Sequence, residues 1–146
     1  MHDFFFFAPK VFMATICGFI IGLEREISNK PAGLRTNIMV CAGSCILTTL
    51  SFYIAQSMSV PDPTRIIGQI VTGIGFIGGG VIFKSDNKVN GITSASLIFV
   101  VCGIGILCGS DLLMIGFLLT IGLLLVSVIL QQFEKHFHNK NNDNKL

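Results

Sequence analysis

Between Asn37 and Met58 the chain runs for 22 residues without a charged side chain. As a helix, that run extends about 33 Å, enough to cross a hydrocarbon core of about 30 Å. Backbone groups left unpaired in hydrocarbon cost several kcal/mol each, so a lipid-embedded run of this kind has to be helical. Four more runs are similarly apolar: Phe4 to Leu23, broken only by Lys10 among charged residues, and Ile66 to Phe83, Ile92 to Cys108 and Leu112 to Leu130 with no charge. The expectation is an all-α integral membrane bundle of five transmembrane helices over residues 1–130, with a polar cytoplasmic tail over 131–146 that frays. Only 12% of the residues are charged, about half the share of a soluble domain.

Composition narrows the function as well. A net charge of +2, with no basic patch interleaved with aromatics, argues against nucleic acid as a partner. Met1 to Asp3 lacks the positive start of a secretory signal, so the first run is expected to stay as a span. Pro9 and Lys10 interrupt that run; the regular helix is expected near Pro9, with Lys10 reaching to the interface. Cys17, Cys41, Cys45, Cys102 and Cys108 all lie in apolar runs. An odd set of buried thiols is no disulfide framework, and each reads as a small packing residue. Cys41 and Cys45 would share a helix face, but a metal site there would need further ligands. With Ser44, Thr48 and Ser51 they form a small, weakly polar stripe expected to face the bundle.

The run Gly68 to Phe83, GQIVTGIGFIGGGVIF, carries six glycines. Gly68, Thr72, Gly73, Gly75, Gly78, Gly79 and Gly80 are expected to pack against other helices, with Gly75 and Gly79 at small-xxx-small spacing. This run is therefore placed at the centre of the bundle. Gly73, Gly75 and Gly78 also spell GxGxxG, but with no preceding strand and no later acidic residue in a βαβ unit the motif implies no nucleotide.

The connections read as turns. Pro31 and Gly33 suit a type I turn, and Asp62 can cap the third helix with Pro63 in its first position. Lys84 to Gly91 reads as a basic hairpin, and Gly109-Ser110-Asp111 as a helix end and a new start. The segments 24–36, 84–91 and 131–146 share one side and carry eight Lys or Arg; the other side keeps Lys10 and Arg65. This asymmetry predicts an N-terminus outside and a C-terminus inside.

Four stretches carry a resemblance. Gly22-Leu23-Glu24-Arg25-Glu26, Lys30 to Thr36 (KPAGLRT), Gln69 to Gly78 (QIVTGIGFIG) and Val89 to Thr93 (VNGIT) together resemble the MgtC/SapB family of bacterial inner-membrane proteins. The resemblance implies a non-enzymatic, multi-pass inner-membrane protein acting in adaptation to low magnesium and in survival inside host cells. It implies regulation of other membrane proteins in preference to magnesium transport, and a cytoplasmic C-terminal domain in longer members that these 146 residues lack. The alternative is a small transporter or ion-pathway subunit for Mg2+ or H+.

The polar residues singled out are Glu24, Arg25, Glu26 and Arg35 at the inner end, Asp62, Arg65 and Gln69 toward the outer end, and Asn90 and Thr93 at the hairpin. Glu24 and Glu26 are two apart and do not face each other on a helix, and Arg25 and Arg35 oppose a cation, so no metal site is assigned. His136 and His138 read as a solvated tail. All three His lie in the terminal segments, so no catalytic residue is assigned, and no cofactor is implied. The expected partners are membrane lipid and either another inner-membrane protein or a second copy of the chain.

Overall fold

A computed structural model describes residues 2–58, 62–85 and 88–143, with side chains described for 4–56, 62–85 and 88–133. Ser59 to Pro61 of the expected second turn, the tip of the hairpin, and the side chains of His136 and His138 lie outside the described residues. Five helices follow in order: α1 (His2–Ile27), α2 (Leu34–Met58), α3 (Thr64–Val81), α4 (Ile92–Gly109) and α5 (Leu113–Asp143). A two-stranded antiparallel hairpin, β1 (Phe83–Ser85) and β2 (Lys88–Asn90), joins α3 to α4 with Lys84 opposite Val89. All five helices are long and apolar enough to cross a membrane. Successive helices reverse direction, so residues 24–36, 84–91 and the end of α5 lie at one end of the bundle.

Two element bounds differ from the sequence reading. α1 runs through Pro9 and begins at His2. Proline removes one ladder hydrogen bond, a smaller penalty than leaving the apolar run Phe4 to Phe7 uncoiled in lipid. The Phe6 and Phe7 rings also lie 6.0 and 5.9 Å from the Tyr53 ring, tying the first turns to α2. At the other end α5 continues past Leu130 to Asp143, where a frayed tail was expected.

The centre of the bundle is α1, α2 and α4. Its core holds Cys17, Cys41, Cys45 and Cys108 together with Ala14, Ile21, Val101 and Ile104. The cysteines are free and buried, as packing residues are. The stripe Cys41, Ser44, Cys45, Thr48 and Ser51 is buried along α2, as expected. Ser44 Oγ donates to the Val40 carbonyl at 2.7 Å and Ser51 Oγ to the Pro63 carbonyl at 2.6 Å, while the buried Thr48 hydroxyl has no hydrogen-bond partner among the described residues.

The glycine-rich run is not central. α3 and α5 each bury 11% of their most apolar window, against 28–44% for the other three helices. A methyl group added at Gly68, Gly73, Gly75, Gly79 or Gly80 would meet nothing within 4 Å; only Gly78 is in contact, 3.6 Å from the Ala95 carbonyl. The close approaches are made elsewhere. A Cβ on Gly18 or Gly22 would stand 2.7 Å from Asn37 O or 2.8 Å from Leu34 Cα. One on Gly105 or Gly109 would stand 2.2 Å from Cys41 O or 2.6 Å from Thr48 Cβ. Both pairs have GxxxG spacing, and both seat their helix on α2. The spacing rule therefore holds, but on α1 and α4 and not within the bundle for α3.

Two turns are also corrected and one is filled in. Ala32 has φ 58°, which at the third place of a turn belongs to type II and not type I. α4 ends at Gly109, as read, but the left-handed residue that closes it is Asp111 at φ 65° and not the glycine: Leu112 N–H donates to Leu107 O at 3.0 Å across it. Pro63 sits at the N-cap of α3 and not inside its first turn, while Asp62 accepts from the Thr64 amide at 2.8 Å.

Candidate functional site

Glu24, Arg25 and Glu26 occupy the last turns of α1, where consecutive side chains point about 100° apart. Each therefore meets a different helix. Glu24 Oε1 accepts from Gln131 Nε2 of α5, and lies 3.1 Å from Ser28 Oγ. Arg25 Nη2 donates to Ser94 Oγ of α4 at 2.8 Å. Glu26 Oε2 accepts from the Leu34 amide at 3.0 Å and so caps the start of α2. Gly33 makes room for this cap, since a Cβ there would strike the Glu26 carboxylate. Three adjacent letters of sequence thus fasten one end of the bundle in three directions.

A cleft of about 380 Å³ opens beside this junction. Its walls are Arg25 from the end of α1, Lys30 and Pro31 from the α1–α2 connection, Phe83, Asn90 and Gly91 from the hairpin and its exit, Thr93 and Ser94 from α4, and Ser127, Leu130 and Gln131 from α5. Three of the four sequence stretches singled out above reach it or its rim. Gly91 is needed at the corner: its φ is 89°, and a Cβ would lie 2.1 Å from the Val81 carbonyl. Arg25 is only 3% exposed, and its Nε has no hydrogen-bond partner among the described residues. Arg35 is exposed and stands apart from these contacts.

Asp62, Arg65 and Gln69 lie at the opposite end. With Ser51, Ile54, Ala55 and Ile66 they line a cavity of about 410 Å³ between α2 and α3. Gln69 also borders a second, largely apolar groove of about 500 Å³ that runs on toward Ile77. The Thr64 hydroxyl and amide hold the Asp62 carboxyl below its ordinary pKa, with a smaller contribution from Arg65. Thr72 Oγ1 bonds back to the Gly68 carbonyl at 2.9 Å on the exposed face of α3.

Several structural residues escaped the sequence reading. Lys10 is buried and pairs with Asp111 across 101 residues at 2.8 Å, with its ammonium 3.9 Å from the Phe6 ring centroid. Asn37 is fully buried and donates to the Ala32 and Gly33 carbonyls at 2.6 and 2.8 Å. The paired GxxxG spacings at Gly18/Gly22 and Gly105/Gly109 were the available signal for the helix contacts. Among the described residues no group of three His, Cys, Asp or Glu could hold a metal ion.

Five apolar helices, pinned at one end by an arginine-centred polar junction and at the other by a buried lysine, define a multi-pass membrane protein. The MgtC family model matches residues 11–136, and the chain belongs to that family of bacterial inner-membrane proteins. Protein SapB of Bacillus subtilis is 42% identical over 103 residues, covering 66% of this chain and 44% of that protein. The Escherichia coli K12 protein named "Putative magnesium transporter YhiD" is 36% identical over 140 residues, 92% of this chain and 65% of the relative. Protein MgtC of Brucella abortus is 38% identical over 94 residues, 64% of this chain and 38% of its own length. The chain thus spans less than two thirds of the length of these relatives. None of these names describes an enzyme. No solved structure matches the chain.

Proposed function

We propose that this protein is a non-enzymatic regulator of other inner-membrane proteins, acting in adaptation to low magnesium, and that α3 is the helix it offers to a partner. The observation that carries the reading is the position of α3. Its glycines leave an open face, and Phe76 beside them is 88% exposed. A glycine face allows close backbone approach by another transmembrane helix, where lipid gives no hydrophobic drive of its own. The occupant is a helix of another membrane protein. The basic end, with Lys30 and the hairpin, faces the cytoplasm in this reading. The family's magnesium association comes from the name of a relative and supports the physiological setting.

The test is complementation of a deletion strain under magnesium starvation. Gly75→Leu and Gly79→Leu should abolish both complementation and co-purification of the partner while the protein still inserts and folds. Normal behaviour of both variants would overturn the reading. A second reading is a small ion-pathway subunit, favoured by Gln69 standing between the two cavities of α2 and α3. Flux of Mg2+ or H+ into proteoliposomes, altered by Gln69→Leu, would support it; absence of flux in the unchanged protein would remove it.

A further inference from the structure

We propose that the cleft at Arg25 is an oxyanion site, and that its ligand is a phosphate group. Nothing in the regulatory reading of α3 requires this. The first observation is the arginine. Arg25, 3% exposed as a residue, has one hydrogen-bond partner among the described residues, the neutral Ser94 hydroxyl, and its Nε has none. Glu24 attracts it through space but makes no ion pair with it among the described residues, and a buried cation so incompletely paired is penalised and calls for an anion. Among the described residues no carboxylate lines the cleft to supply it. The two neighbouring acids are committed elsewhere, Glu24 to Gln131 and Ser28, Glu26 to the start of α2.

The second observation is independent. α4 begins at the cleft, with Gly91 at its N-cap, no side chain capping it and no acidic residue in its first turn. The amides of a helix start carry partial positive charge and bind anions. Thr93 and Ser94 of that turn line the cleft together with Asn90, and Lys30 adds a second cation from the opposite wall. Guanidinium fork, ammonium, hydroxyls and helix amides are the donor set that suits a tetrahedral phosphate. A lipid headgroup and a soluble phosphate share that chemistry, and Phe83 and Leu130 would flank a lipid's glycerol end.

The test uses the full chain purified in dodecyl maltoside, with thermal unfolding as readout. The probes are inorganic phosphate against sodium chloride at equal ionic strength, and short-chain phosphatidylglycerol against a neutral short-chain diacylglycerol. Stabilisation by inorganic phosphate assigns a soluble ligand; stabilisation by the phospholipid alone assigns a headgroup. In either case Lys30→Gln, an exposed change that leaves the fold intact, should weaken the response about tenfold, the loss of one charge-assisted contact. Thr93→Asp places a carboxylate at the helix start, and should raise the melting temperature without ligand while abolishing the response to it. No stabilisation by any phosphate probe would overturn the proposal. A response that persists unchanged in both Lys30→Gln and Thr93→Asp would overturn it equally.

Discussion

Replacing Gly105 by alanine tests the packing directly. A Cβ there stands 2.2 Å from the Cys41 carbonyl oxygen and 2.2 Å from Ser44 Oγ. Ser44 could rotate away, although it would give up its bond to Val40. The Cys41 carbonyl belongs to the backbone of α2 and cannot. The helices must therefore separate locally by roughly 1 Å, a gap that forfeits a quarter to a half of the dispersion well for each atom pair it opens. Overpacking of this kind costs about 1–3 kcal/mol, and the backbone clash puts Gly105→Ala near the upper figure. That is about a hundredfold in the unfolding equilibrium, or a fall in melting temperature on the order of 5–10 °C. Gly79→Ala is the control, with nothing within 4 Å of the new methyl; a change within about 0.5 kcal/mol is expected. The five buried free cysteines provide the assay, since a thiol-reactive fluorogenic dye reports unfolding without an added label. Equal melting of Gly105→Ala and the unchanged protein, or an equal loss in Gly79→Ala, would refute the assignment of the tight contacts to α4 and not α3.

Three further outcomes follow from single contacts. Asp111→Asn keeps a residue that tolerates the left-handed conformation but removes the partner of buried Lys10; a loss of about 1–3 kcal/mol is expected, moderated by the exposure of Asp111, in the same melting assay. Gly91→Ala combines a positive φ with a methyl against the Val81 carbonyl, so the hairpin must shift and protease sensitivity between α3 and α4 should rise. Asp62 has its folded pKa lowered, so its stabilising contribution is present above the ordinary carboxylate pKa and lost as pH falls through the lowered value; Asp62→Asn should flatten that acid limb of a melting-temperature profile.

The five spans were legible because hydrocarbon permits a continuous apolar run only one outcome. The hairpin and the buried stripe of α2 were legible for similarly local reasons: turn residues, and small polar side chains at helical spacing. The bundle's arrangement was not. A GxxxG spacing says that a helix has a smooth face, not which neighbour covers it. Gly75 and Gly79 carry that spacing as plainly as Gly18 and Gly22, or Gly105 and Gly109, and only the last two pairs are seated on α2. Lys10 looked like an interfacial residue because its partner lies 101 positions away. For Glu24, Arg25 and Glu26 the helical step already said that they diverge; it could not say that they diverge onto α5, α4 and α2.

The most direct test of the role given to α3 is photo-crosslinking in intact cells, with benzoylphenylalanine placed one at a time at Phe76, Ile77 and, as a lipid-facing control on α5, Leu118. All three side chains are exposed. The α3 positions should give one discrete adduct with a second membrane protein, stronger under magnesium starvation and lost in Gly79→Leu, while Leu118 gives lipid products alone. Lipid products alone at every position would contradict a partner-binding face on α3.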